Sequence, residues 1–473
     1  MSDTSVNRPI RVAVVGAGPA GVYASDILAK AQKKHDVRFS IDLFDRYPAP
    51  FGLIRYGVAP DHPRIKGIIQ ALHKVMDRGD IRLLGNVDIG TDITVEELRS
   101  HYDAVIFATG AVKDAALDIP GNHLQGSFGA ADFVSWYDGH PDYPREWPLE
   151  AEQIAVIGNG NVALDVARVL SKHPEDMLST EIPDNVYQGL KSSPVTDVRI
   201  FGRRGPAQIK FTPLELRELS HSRDVDIVLH EEDFEFDEAS DEAIRSNNQI
   251  KTMVNTLTNW LVEQEERTEE ASRRLHLHFL HQPVEILEKK NDDGTGTGRV
   301  GGIRFERMEL DGTGGVTGTG EHIDYEVQAV YRAVGYFGSA VDGIPFDDQR
   351  GVIRNEAGRV LDGDGEHIAG TYATGWIKRG PVGLIGHTKG DARETIDCLI
   401  ADLPQLPAAQ HPEEAAVIEL LESRGVQYTT WEGWLKLDEY ELQLGQEASA
   451  AGPVERERVK LVPREDMVRF SQL

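Results

Sequence analysis

The run RVAVVGAGPAGVYASDILAKAQ at residues 11–32, followed by SIDLFD at 40–45, decides the fold. RVAVVG reads as a strand, GAGPAG as a tight turn, the segment from Pro19 as a helix and SIDLFD as a second strand, which makes a βαβ unit. The turn is a complete GxGxxG. Gly16 permits the sharp reversal, Gly18 lets backbone amides approach a ligand with no Cβ in the way, and Gly21 allows close helix–strand contact. A helix N-terminus then faces the turn with its partial positive charge, which suits a pyrophosphate. Asp45 ends the next strand, 24 residues after Gly21. An acid there accepts from both ribose hydroxyls and repels a 2′-phosphate. The first turn therefore suits FAD or NAD and not NADP.

A second unit begins at Gln153. QIAVIGNGNVALDVARVLSK (153–172) repeats the strand, glycine turn and helix, with Gly158, Gly160 and Ala163 at the three motif positions. Asn159, Gly160, Asn161 and Val162 form the turn and open the helix. The following strand, DVRIFG, ends in Gly202-Arg203-Arg204-Gly205. Two guanidiniums stand where the first unit has one carboxylate. That exchange turns repulsion of a 2′-phosphate into charge-assisted, bidentate binding. Two sites with opposite ribose chemistry imply two dinucleotides, FAD in the first and NADP in the second. A chain holding both typically moves hydride between them.

Outward from these units the chain reads as follows. YPAPFGLIRYGVAPDHPR (47–64) is too punctuated for regular structure and reads as a long loop; helical spacing resumes over 65–76. Tyr102–Gly110 is an apolar strand. Residues 231–244 hold eight carboxylates and no Lys or Arg, and read as a solvated acidic surface. Glycine-rich stretches at 292–302 and 311–320 read as hairpin loops. A third glycine-rich stretch, 370–386, precedes a helical pattern over 384–403. His276 and His278 alternate on one face of a strand, and a metal site there lacks a third ligand, so none is expected. Cys398 reads as a core residue.

The chain has 473 residues, 50 Lys+Arg against 78 Asp+Glu, a formal charge of −28 and one cysteine. A single cysteine excludes an internal disulfide, a CxxC redox pair, a zinc–cysteine cluster and a four-cysteine iron–sulfur site. The charge argues against nucleic acid, since a phosphate lattice needs a cationic face. No window approaches 18 uncharged apolar residues, so no membrane span is expected. No leader pattern opens the sequence, and with so little cysteine a cytoplasmic protein is expected.

With these motifs in hand, the sequence resembles the adrenodoxin reductase-like ferredoxin–NADP⁺ reductases, in their bacterial form. The matching segments are GAGPAGVYASDIL, PFGLIRYGVAPDHP (50–63), IGNGNVALDVARVL (157–170), FGRRGPAQIKFTPLELREL (201–219), VGYFG (334–338) and GWIKRGPVGLIG (375–386). They span nearly the whole chain, with a looser match over 220–330.

The resemblance implies an α/β flavoprotein of two Rossmann-like dinucleotide-binding domains with parallel sheets. An FAD domain of residues 1–112 and 333–473 would flank an NADP domain of 113–332. Carried over position by position, Ala20, Asp45, Leu53, Val87, Trp376, Gly383, Leu384 and Ile385 would contact FAD. Asn159, Gly160, Asn161, Val162, Arg203, Arg204, Glu215 and Gly383 would contact NADP. The family commonly has Glu where Asp45 stands. His62 and Glu215 would approach the nicotinamide–flavin junction and relay protons. Helix amides after Gly380 would face the negative charge of the reduced flavin. The implied activity is an NADPH:ferredoxin oxidoreductase, with a ferredoxin-type iron–sulfur carrier as partner and a monomeric chain.

One further reading loses on sequence and two remain beside it. A disulfide reductase lacks its cysteine pair. A different NADPH-dependent FAD reductase would keep both turns with another acceptor. A non-catalytic FAD/NADP-binding redox sensor would keep the turns, but the retained GWIKRGPVGLI argues against it. Ferredoxins are usually acidic, so a −28 reductase is expected to gather Lys and Arg near the flavin edge, with 231–244 elsewhere.

Overall fold

A computed structural model describes residues 8–62, 66–383 and 385–472. The first βαβ unit is present: strand Ile10–Val15, helix Pro19–His35 and strand Phe39–Phe44. They belong to a seven-stranded sheet in the order 355–356, 359–361, 367–373, 104–107, 10–15, 39–44, 81–84. Its five strands from 367–373 to 81–84 are parallel. The uninterrupted apolar run VAVV follows from burial on both faces. Val12 and Val14 pack with Val22, Leu28, Ile396 and Trp434 on one side. Ala13 and Val15 pack with Leu98, Ile353 and Leu421 on the other.

The second unit, strand Gln153–Ile157, helix Asn161–Ser171 and strand Asp197–Phe201, lies in a six-stranded sheet. Its order is 127–129, 329–332, 153–157, 197–201, 273–278, 225–229, all parallel. Ile154, Val156, Val198 and Ile200 face the helices, and Ala155, Ile157 and Phe201 face Ile286, Ile303 and Phe305. Those last residues belong to a separate antiparallel sheet of strands His281–Lys290, Gly296–Leu310 and Val316–Tyr325, which covers the second face.

The chain crosses between the two large sheets through Lys113–Asp114 and Tyr336–Phe337, which pair antiparallel. The tail ties the units again. Lys460 Nζ donates to the carbonyl oxygens of Arg55 (2.5 Å) and Asp138 (3.0 Å) and pairs with Glu181 at 2.8 Å.

Several expectations shift. The apolar strand at 102–110 is only Ala104–Phe107, because Ala108 bends into the glycine turn. Within the 47–64 loop, Leu53–Tyr56 forms one helical turn. The two hairpin loops are tighter than their glycine content implies, since 296–302 and 316–320 lie in long strands. The acidic run is not wholly solvated. Asp233 is 1% exposed, pairs with Arg307 and accepts the Phe279 N–H at 3.0 Å. Cys398 is half-buried at the core's edge. Among the described residues, no helix is long and apolar enough to cross a membrane.

Candidate functional site

The first turn sits at the carboxyl ends of the parallel strands. Gly16 adopts φ +111°, and a Cβ there would run into the Ala108 carbonyl. A Cβ on Gly21 would strike the Gly16 carbonyl, so the helix lies against the turn only because position 21 is glycine. Helix Pro19–His35 has no side-chain cap at Gly18, and its first amides stay available for an anion.

Asp45 is 7% exposed and lies beside this turn. Its carboxylate accepts from the N–H groups of Ala17 (2.8 Å) and Tyr47 (2.9 Å). Burial pushes the Asp45 carboxyl up to about 6, against the pull of those amides and of Arg46 and Arg464. The buried Val87 donates its N–H to the Asp45 carbonyl at 2.9 Å. A surface cleft of about 440 Å³ lined by Arg46, Asn86, Asp88, Asp142 and Arg464 begins at the residue after Asp45, which does not itself line it.

The PFGL segment closes over the turn. Phe51 donates its N–H to the Ala17 carbonyl at 2.8 Å and holds φ +85°, a strained value for a bulky residue. Its ring is held by His73 (5.3 Å), Trp434 (5.8 Å) and Trp431 (6.2 Å). Leu53 follows, partly exposed. From the far end of the chain, Gly375 comes so near that a Cβ would lie 2.6 Å from Ala20 Cβ. Trp376 therefore begins its short helix over the first turn, half-exposed. Gly383 (φ +90°) precedes helix Ile385–Ala401. Leu384 lies outside the described residues, and Ile385 is known only as the start of that helix.

The second turn repeats the geometry. Gly158 adopts φ +149°, and a Cβ there would meet the Ala333 carbonyl. Gly160 caps helix Asn161–Ser171 without a side-chain bond, and a Cβ on it would point into open space. The Asn159 carbonyl accepts the Lys210 N–H, and Asn161 Oδ1 accepts the Thr212 N–H, both at 3.0 Å. These bonds strap 210–212 to the turn and so place Glu215. Val162 packs half-buried on the core. Arg203 is exposed and Arg204 partly so. Neither has an ion-pair partner among the described residues.

The two units meet where His62 lies 2.9 Å from Asp165, on the second unit's helix. Glu215 is 6% exposed in the same place. Burial raises the Glu215 carboxyl, Asp165 adds to the rise, and His62 and Arg168 oppose it. His62 and Glu215, 153 residues apart in sequence, thus share one electrostatic neighbourhood. Asp165 and Arg168 were not singled out by sequence; the only signal is their spacing on the helix of the second turn.

His276 and His278 do share one strand face, joined by His230. The rings of His230 and His278 stack at 4.0 Å and 14°, and those of His276 and His278 lie 7° from parallel. His230 supplies the third ligand that the sequence did not show: one ligand atom from each of His230, His276 and His278 lies within 4.8 Å of the others, and Asp233, His278 and His281 form a second such group. The stack continues through Phe201 at 4.7 Å and supports the arginine turn from behind, where Gly202 N–H donates to the His278 carbonyl at 2.9 Å.

Comparison with known proteins agrees with this geometry. The Pyridine nucleotide-disulphide oxidoreductase family model matches residues 10–193. The chain is 39% identical to NADPH-ferredoxin reductase FprA of Mycobacterium tuberculosis over 98% of this chain and 99% of that protein. It is 37% identical to the mitochondrial NADPH:adrenodoxin oxidoreductase of Bos taurus over 97% of this chain and 92% of that one. The solved structure of Mycobacterium tuberculosis FprA in complex with NADPH superposes with a TM-score of 0.87 at 36% identity, covering 98% of this chain and 100% of that one. With both nucleotide turns, the PFGL cover and the full-length match in place, the chain belongs to the family of NADPH-ferredoxin and NADPH:adrenodoxin reductases.

Proposed function

We propose that this chain is an NADPH:ferredoxin oxidoreductase that binds FAD at the first turn and NADP(H) at the second. The observation that carries the assignment is the pair of unlike strand ends, a buried carboxylate at Asp45 and two unpaired guanidiniums at Arg203 and Arg204. The chain's own atoms fit both groups. Open helix amides and a Cβ-free approach receive each pyrophosphate, Asp45 accepts from the FAD ribose, and the arginines take the 2′-phosphate. Leu53, Val87, Trp376 and Gly383 would line the flavin, and Asn159–Val162 the NADP backbone. When bound, FAD would supply an acceptor for the NADPH hydride and a donor of single electrons to the carrier.

The chain supplies position and charge. The Phe51 cover and the Gly375–Trp376 turn would exclude water from the junction and fix the orientation of the two bound rings, which hydride transfer requires. The N-terminus of helix Ile385–Ala401 offsets negative charge. His62 and Glu215 hold and pass the one proton that two single-electron departures leave behind. The division into an FAD domain of 1–112 and 333–473 and an NADP domain of 113–332 accords with the strand membership of the two sheets. A monomer working in the cytoplasm suits the same reading.

The test is electron delivery. Purified yellow protein with NADPH should reduce a ferredoxin-type carrier, with a rate that falls steeply as salt rises. NADPH oxidation that reaches quinones but no iron–sulfur carrier would move the chain to the other-acceptor reading.

A further inference from the structure

The helix of the second turn carries Asp165 and Arg168 three residues apart on one face, and Lys172 caps its C-terminal end. That face grips the Asp61–His62 loop of the other unit. Arg168 is 1% exposed. Its Nε and Nη2 donate to the two oxygens of Asp61 at 2.8 Å each. Its Nη1 lies 2.9 Å from Asp165 Oδ1, and Lys172 Nζ lies 3.0 Å from Asp61. Burial works to raise the Asp61 carboxyl, but Arg168 and Lys172 overturn it and hold it well below the usual carboxylate range.

His62 Nε2 stands 2.9 Å from Arg168 Nη2 and also 2.9 Å from Asp165 Oδ1. A guanidinium only donates, and an ionised carboxylate only accepts. One ring nitrogen cannot serve both. Without a proton, Nε2 accepts from Arg168; with one, it donates to Asp165. The bidentate bond to Asp61 fixes the guanidinium plane, so Arg168 cannot turn its Nη2–H away.

We propose that Arg168 is a positioning residue that holds His62 neutral with its proton on Nδ1, and that a proton reaching Nε2 exchanges Arg168 for Asp165 as its partner. The charges facing the ring are Arg168, Asp165, Asp61, Lys172 and Glu215. The proton balance rests on the reductase reading: NADPH and two oxidised one-electron carriers give NADP⁺, two reduced carriers and one proton. That proton would sit on His62 Nε2 as an imidazolium paired with Asp165. Because Arg168 also ties the loop to the pyrophosphate helix, the proton on His62 is coupled to the grip between the two units.

The experiment is ¹⁵N NMR of the flavin-loaded protein with labelled histidine. The His62 signals are identified among 16 histidines by their loss in His62→Gln. In the parent at neutral pH, Nε2 should be unprotonated and Nδ1 protonated. In Arg168→Lys, which keeps the charge and loses the fixed fork, the proton should move to Nε2, with NADP⁺ affinity changed less than about threefold. A parent ring already protonated at Nε2, or the same tautomer in both proteins, overturns the proposal. Should Arg168→Lys fail to fold, Asp165→Asn carries the test. With Arg168 still in place and no ionised acceptor at 165, Nδ1 should stay protonated and Nε2 bare at neutral pH, and a proton found on Nε2 overturns the assignment to Arg168. A correct tautomer in a protein that NADPH does not bleach supports the Arg168 role and sinks the reductase reading.

Discussion

In both units a glycine with positive φ ends the first parallel strand, and its missing Cβ makes room for a carbonyl from a neighbouring segment, Ala108 in one and Ala333 in the other. In both, the helix begins at an uncapped glycine. The next strand then ends in Asp45 in the first unit and in Gly202-Arg203-Arg204 in the second. On the proposed reading, the backbone device would recognise what FAD and NADP share, and the strand end would recognise where they differ. The support behind each end differs too. Asp45 is buried and bonded to its own turn. The arginines project from a turn backed by the Phe201–His278–His230 stack.

The largest expected effect comes from breaking the shared device. Gly21→Val drives a side chain into the Gly16 carbonyl and should cost more than about 3 kcal/mol. Such protein is expected to purify colourless or aggregated. A yellow, stable Gly21→Val would show that helix and strand need not approach so closely.

Breaking the difference comes next. Arg203→Ala with Arg204→Ala should weaken NADPH about a hundredfold, the worth of two charge-assisted contacts at about 1.5 kcal/mol each, and leave NADH nearly unchanged. Isothermal titration with both nucleotides reads this directly.

Acid should separate the two supports. Burial lowers His276 to about 4 and His278 to about 3. Both lie below the unfolded value of about 6.5. The stability they lend is complete above about pH 6.5 and is lost as pH falls toward those folded values. Taking the pH from 7 to 5 should therefore remove on the order of 2 kcal/mol per histidine, about 4 kcal/mol for the two, from the six-stranded unit. Hydrogen exchange followed by mass spectrometry should find strands 197–201 and 273–278 opening before strand 10–15.

The smallest effect tests Asp45. On the proposed reading, FAD ribose hydroxyls would donate to the ionised Asp45, whose carboxyl burial raises to about 6. Flavin affinity of the apoprotein should fall about tenfold from pH 7 to pH 5. Asp45→Asn should abolish that dependence.

Much of this was legible from sequence. Both βαβ units announce themselves because a run such as VAVV, buried on both faces, leads straight into a glycine turn. The ribose-end residues are local to their strands and are equally visible. What lay hidden is what joins distant segments. Asp61 meets Arg168 across 107 residues and two units, so the helical spacing of Asp165 and Arg168 shows a face but not its partner. Asp233 looked like one more solvated acid because nothing in 231–244 reveals that Arg307 arrives from another sheet. The Phe51 cover was diagnostic as a sequence, yet its support by His73, Trp431 and Trp434 depends on the tail folding back.

The most direct test of the two-turn account is anaerobic stopped-flow reduction of the yellow protein by NADPH and by NADH. The account predicts rapid bleaching of the flavin band with NADPH, much slower bleaching with NADH at equal concentration, and loss of that preference in the Arg203→Ala/Arg204→Ala protein. Equal rates with the two nucleotides in the parent, or a preference that survives removal of both arginines, would contradict it.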